Sequence, residues 1–216
     1  EETLSQKYDV QTYEAIQKAI WTQGTSTNGV FGMKHSWEKD RKGRLLAKVK
    51  ALKNWSDNGP LDEEALLADL FPNCQHIFLT RRNKIRQAVS WWKAIKNETW
   101  HLEQYQTKEE TEAFYEENYV FPALQHLLKE VILKECATQA YFAKHQIQPL
   151  TIVYEDFVAD YEGTIKKIIE FLDIDAKHLV IKKPFYQKTA TALSERWVER
   201  FSAEMQEDWK DKIYVV

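Results

Sequence analysis

The sequence holds few of the residues that mark a site by themselves. Its six glycines, at positions 24, 29, 32, 43, 59 and 163, include none between a strand and a helix with Ser and Lys or Arg beside it. No phosphate-cradling loop is therefore legible. The Gly/Ser/Thr-rich run at 24–29 leads from a helix into a strand, the reverse of a cradle's order. Only two cysteines occur, Cys74 and Cys136. They lack metal-ligand spacing and read as free thiols of a reducing compartment, which predicts a cytoplasmic protein. The six histidines stand singly, so no metal site is expected. No apolar run approaches the ~20 residues needed to span a bilayer. Glu1 and Glu2 open the chain with acid, so no leader peptide is predicted. A net charge of −3 lacks the basic excess that nucleic-acid binding needs.

What is present suits an ordinary globular protein. A chain of 216 residues, 44% hydrophobic and 29% charged, is most simply one domain over 1–216. The eight tryptophans fit a core of large aromatic plates, and they also fit sugar recognition. Apolar spacing predicts a helix from Val10 to Trp21 capped by Asp9, and a strand over 30–36. A basic helix with Leu45, Leu46, Val49 and Leu52 on one side follows, and then a short helix from Pro60 to Leu70. Thr107 with Glu110 reads as a capping box. Pro122 starts a long helix to about His145, whose Leu124, Leu127, Leu128, Val131, Ile132 and Cys136 form a broad apolar face. The helices over 108–145 could build a helical layer or a homodimer surface.

The most informative stretch runs from His76 to Trp92. Ile77-Phe78-Leu79 is a short apolar run of the type that makes a buried strand, with strand character over 76–81. Arg81 and Arg82 follow, and Asn83 can cap a helix. On that helix Asn83, Arg86, Gln87 and Ser90 fall on one side and Ile85, Ala88, Val89 and Trp92 on the other. Ligands of open α/β sheets sit where strands end and helices begin, so an anion could be held there by Arg82, helix N–H groups and Ser90. On spacing alone, a polar stripe turned to water explains the same residues. A second block, Leu150 to Phe157, reads as a strand over 149–154 ending at Tyr154. A helix follows from about Asp160 to Leu172, and Glu155-Asp156 reads as an acid pair favoured by a helix start. A third block, Lys182 to Thr189, is a basic segment before a helix capped by Ser194.

The string R-R-N-K-I-R-Q-A-V-S-W-W-K-A, with Arg82 eight residues before Ser90, resembles the 3′-phosphate clamp of sulfotransferases. It is most similar to the bacterial trehalose sulfotransferase family. G-V-F-G-M-K-x-x-W from Gly29 and I-V-Y-E-D-F from Ile152 resemble further parts of that fold, as does Ser194-Glu-Arg-Trp197. The resemblance implies an α/β fold: a small parallel sheet flanked by many helices, in a P-loop NTPase-type architecture whose first strand–loop unit is missing. It implies 3′-phosphoadenosine 5′-phosphosulfate as co-substrate and a carbohydrate or glycolipid acceptor. Arg82 and Ser90 would hold the 3′-phosphate, reinforced by Arg86 or Lys188, and Tyr154 would face the adenine. The family's Pro-Arg-Ser-Gly-Ser-type loop and its catalytic glutamate have no counterpart here. Either the N-terminus is incomplete or the chain binds without transferring, and as given it is expected to bind adenosine 3′,5′-bisphosphate without moving sulfate. Two other readings share some features: a nucleotide kinase, which needs a lysine-containing cradle, and a helical binding module.

Overall fold

A computed structural model describes residues 6, 9–10, 12–34, 63–98, 100, 111–177, 179–186 and 190–211. The basic helix expected over 38–58 and the Thr107–Glu110 capping box lie outside the described residues. The chain divides into two compact units, Glu1–Gln75 and His76–Val216.

In the first unit, helix α1 spans Tyr13–Gly24 and α2 spans Glu63–Leu70. Thr12, not Asp9, caps α1: its side chain accepts from the Ala15 N–H, while Asp9 sits at φ +50° in the turn before it. Tyr13 and Ile16 are buried, as the apolar spacing requires. The Tyr13 hydroxyl donates to Asp69 at 2.8 Å, and the Trp21 indole N–H donates to the Leu70 carbonyl at 2.7 Å. The helix ends at Gly24, and the Phe31 ring lies so close there that only glycine fits; a Cβ would stand 2.1 Å from a Phe31 ring carbon. Phe31 stacks on Phe71, with centroids 5.4 Å apart.

The strand expected over 30–36 is not formed among its described residues. Only an isolated antiparallel bridge joins Thr25 to Phe31, and residues 32–34 pair with nothing. Phe31 is committed to Phe71, and Gly32 brings no side chain that could pack against a sheet neighbour. Residues 35–36 lie outside the described set.

The second unit holds a two-stranded parallel sheet of β1 (Ile77–Thr80) and β2 (Leu150–Val153). Their register pairs Ile77 with Leu150 and Thr80 with Val153. The helices here are α3 (Lys84–Asn97), α4 (Glu112–Asn118), α5 (Phe121–Lys144), α6 (Tyr154–Ala159), α7 (Tyr161–Phe171) and α8 (Ala192–Met205). The protein is thus α/β and mostly helical. Strand β2 ends at Val153, so Tyr154 opens a helix instead of closing a strand. Asp160 then starts α7 by accepting the Gly163 N–H at 3.0 Å. A Cβ at Gly163 would lie 2.1 Å from that carboxylate, so glycine permits the cap. Thr191, not Ser194, caps α8; Ser194 is the reciprocal partner of a capping box, as the polar residue three positions past a cap can be.

The core of this unit is Val89, Tyr115, Leu124, Trp197, Val198 and Phe201, with Trp92, Phe114 and Leu128 packed against it. Trp197 donates its indole N–H to the Tyr115 carbonyl at 3.1 Å, so burial leaves that donor satisfied. The apolar face of α5 is narrower than its sequence suggests. Leu124, Leu127, Val131, Thr138 and Phe142 are buried, a seam with coiled-coil-like spacing along the contact with α3. Ile132 is 43% exposed and Cys136 is exposed, because both lie off that seam. Leu124→Ala is expected to cost ~2–5 kcal/mol. Ile132→Ala should cost about half as much or less. Urea unfolding of both variants checks the seam, and equal losses would mean the broader face is buried after all.

Candidate functional site

The site grows from the turn between β1 and α3. Parallel pairing of Thr80 with Val153 brings the first residues beyond each strand side by side. Glu155, in the first turn of α6, faces the bend at Arg81-Arg82-Asn83. Its carboxylate accepts the Arg82 backbone N–H at 2.8 Å and the Asn83 N–H at 3.5 Å. Arg81 Nε donates to the same group at 3.3 Å. Asn83 in turn caps α3 by accepting from the Arg86 N–H at 2.9 Å. Burial works against ionisation of Glu155, but the N–H groups of Arg82, Glu155 and Asn83 and the Arg81 charge outweigh it. They hold the carboxyl below its usual range.

The two arginines part company at this bend. The Arg81 guanidinium lies 4.8 Å over the Tyr154 ring and lines a cleft. Arg82 turns out to solvent, its side chain 62% exposed, and one guanidinium nitrogen meets both Asp156 oxygens at 2.8 Å. That hydrogen bond, with the Asp156 charge, raises the Arg82 pKa further.

The cleft is small, about 30 Å³, and opens to solvent. Arg86, Ser90 and Lys93 line it from α3, and their spacing of four and three residues sets them on one helix face. Ser194, Glu195 and Val198 line it from α8. Arg86 donates from Nε and a terminal nitrogen to one Glu195 oxygen, at 2.9 and 2.7 Å. Lys93 is only 8% exposed, and its ammonium donates to the Ser194 hydroxyl at 3.1 Å. Three cations and two serine hydroxyls therefore meet one lining carboxylate in a partly enclosed space. Such a cleft favours an anion, because its low-dielectric walls strengthen the field of the cations.

Among the expected site residues, Arg86, Ser90 and Tyr154 share this cleft, whereas Arg82 is not among its lining residues. Lys188 lies outside the described residues. Arg81, Lys93, Ser194 and Glu195 were not anticipated. Lys93 falls on the same helix face as Arg86 and Ser90, a signal the spacing carried. Glu195 had no such signal, since nothing local in the sequence joins α8 to α3. Among the described residues no group of three His, Cys, Asp or Glu could hold a metal ion, and no helix is long and apolar enough to cross a membrane.

Glu155→Gln is expected to destabilise the protein at neutral pH by on the order of 1 kcal/mol, after allowance for solvent screening. The folded carboxyl sits below its unfolded value of about 4.3, so its stabilisation is complete above that pH and fades as the pH falls through the folded value. Denaturation from pH 7 to pH 3 should show the gap between the parent and Glu155→Gln closing below about pH 4. A constant gap would mean that the charge is not what holds the turn.

A family model described as Stf0 sulphotransferase matches residues 2–204. Trehalose 2-sulfotransferase of Mycobacterium tuberculosis (strain ATCC 35801 / TMC 107 / Erdman) is 25% identical over 198 residues, 91% of this chain and 69% of that protein. Trehalose 2-sulfotransferase of Mycolicibacterium smegmatis (strain ATCC 700084 / mc(2)155) is 24% identical over 189 residues, 88% of this chain and 67% of that protein. The family match runs through both compact units and contains the whole strand–turn–helix and cleft described above. The chain belongs to the Stf0 sulphotransferase family.

Proposed function

We propose that the protein is a sulfotransferase that moves a sulfuryl group from 3′-phosphoadenosine 5′-phosphosulfate to a carbohydrate hydroxyl. The observation that carries this reading is the convergence of Arg81, Arg86, Ser90, Lys93 and Tyr154 on one cleft beside the ends of two parallel strands. Family membership supports the donor, and likeness to two trehalose 2-sulfotransferases supports trehalose or a related sugar as acceptor. A match over 2–204 also supports treating the chain as one sulfotransferase-like domain in a P-loop NTPase-type architecture.

The residues present fit the 3′-phosphoadenosine half of such a donor. Ser90 supplies a hydroxyl and Arg86 a guanidinium for the 3′-phosphate. Arg82 joins them by exchanging Asp156 for phosphate, which its exposed side chain can do without unpacking anything. Tyr154 offers a ring to the adenine, with the Arg81 guanidinium already on it, and Lys188 reinforces the phosphate from the segment before α8. Sulfuryl transfer, like phosphoryl transfer, needs alignment and charge stabilisation more than covalent help. Holding the nucleotide rigidly is therefore this cleft's contribution to rate.

Guanidinium-to-phosphate bonds are stronger than those from a neutral hydroxyl. Arg82→Ala is expected to weaken adenosine 3′,5′-bisphosphate binding roughly tenfold to a hundredfold, and Ser90→Ala by less. Titration calorimetry measures both. Removing the 3′-phosphate from the ligand should erase most of the Arg82 effect, since each loss takes away the same contact. Unchanged affinity in Arg82→Ala removes that residue from the site. Labelled-sulfate transfer to trehalose by the intact protein tests the activity itself; the 216 residues alone are expected to bind the bisphosphate without transferring sulfate.

A further inference from the structure

One side chain of the cleft has the wrong sign for a phosphate site. Glu195 stands in the first turn of α8, where the helix dipole favours an acid, yet its carboxylate is turned onto Arg86 across the cleft. Both Arg86 bonds fall on one oxygen, at 2.9 and 2.7 Å, and the pair stays partly open, with side chains 34% and 40% exposed. A carboxylate offers a guanidinium the same kind of charged acceptor that a phosphate does. Ser90 lies one helical turn from Arg86, about 6 Å along the axis, so a phosphate bound at Ser90 comes within reach of Arg86. It would also lie beside Glu195, and two anions at one site disfavour each other. Phosphate and Glu195 therefore compete for one guanidinium.

We infer that Glu195 is a tethered competitor that occupies Arg86 until a ligand phosphate displaces it, and so determines the affinity and charge selectivity of the cleft. Among the described residues, the other charges lining the cleft are Arg81 and Lys93. Arg81 is bonded to Glu155 and Lys93 to Ser194; Arg86 is the cation whose counter-charge lines the cleft itself. When the ligand is bound, Glu195 is released toward solvent, which its partial exposure allows, and Arg86 turns to phosphate. The consequence runs against intuition for a binding site: removing a side chain that lines it should improve binding.

This inference rests on reading the cleft as the adenosine bisphosphate site, so it is tested with two probes. Calorimetry with adenosine 3′,5′-bisphosphate and, separately, with inorganic pyrophosphate should show Glu195→Gln binding both about fivefold more tightly than the parent. Glu195→Asp keeps an acid at the helix start but shortens its reach, so it should tighten in the same direction and serves if the Gln variant folds poorly. Glu199→Gln makes the same charge change on the exposed side of α8 and should alter affinity less than about twofold. In an Arg86→Met background, Glu195→Gln should tighten binding clearly less than in the parent, because only the direct repulsion of the phosphate is left to relieve. An unchanged or weakened affinity in Glu195→Gln, or an equal gain in Glu199→Gln, overturns the inference. Binding of pyrophosphate without the bisphosphate would overturn the adenosine reading and leave Glu195 to be judged on the pyrophosphate arm. Binding of neither would overturn both.

Discussion

The carboxylate of Glu155 ties the β1–α3 turn to the β2–α6 turn, and the cleft depends on that tie. Two backbone N–H groups at a sharp bend would otherwise need water, and the Arg81 side chain would lose its anchor. With the carboxylate in place, Asn83 can cap α3, and α3 leaves the bend in the direction that turns Arg86, Ser90 and Lys93 toward α8. The acid pair at 155–156 was expected as a helix start favoured by the dipole. It does begin α6, but its larger effect is to fasten the neighbouring strand's turn. Local sequence cannot carry this, because the partners are more than seventy residues apart.

The cations of the site come with partners built in. Arg82 holds Asp156, Arg81 holds Glu155, and Arg86 holds Glu195. Such pairs contribute little to stability where they are exposed. In the function proposed, their effect is on recognition, since a ligand anion must do better than the carboxylate it replaces. Arg81 is the exception, because its carboxylate also serves the backbone. Arg82 and Arg86 sit on side chains free enough to change partners, and they are the residues through which phosphate binding is expected to act.

Much of the second unit was legible because its signals are local. An apolar triad, two arginines and an asparagine cap define β1, the turn and α3; from Leu150 a second strand and the start of α7 at Asp160 were legible, whereas α6 between them was not. The resemblance through R-R-N-K-I-R-Q-A-V-S-W-W was sound, and it named a family that the rest of the chain supports. The strand expected over 30–36 is not formed among its described residues, 30–34, because apolar residues near a glycine loop look like a strand whether or not they pair. The broad face assigned to α5 failed for a related reason: periodicity shows which residues could be buried, and only packing against α3 decides which are. Glu195 was out of reach, since it joins the site through a contact 109 residues away in sequence.

The account's central claim is that this cleft is shaped for a nucleotide bearing a 3′-phosphate. The most direct measurement is the affinity of the unaltered protein for adenosine 3′,5′-bisphosphate set against ATP under identical salt. Fully ionised ATP carries the same formal charge as the bisphosphate but lacks the 3′-phosphate, so a merely basic surface would fail to distinguish the two. The account predicts at least about tenfold tighter binding of the bisphosphate, the worth of one charge-assisted contact. Equal affinity, or a preference for ATP, would contradict it.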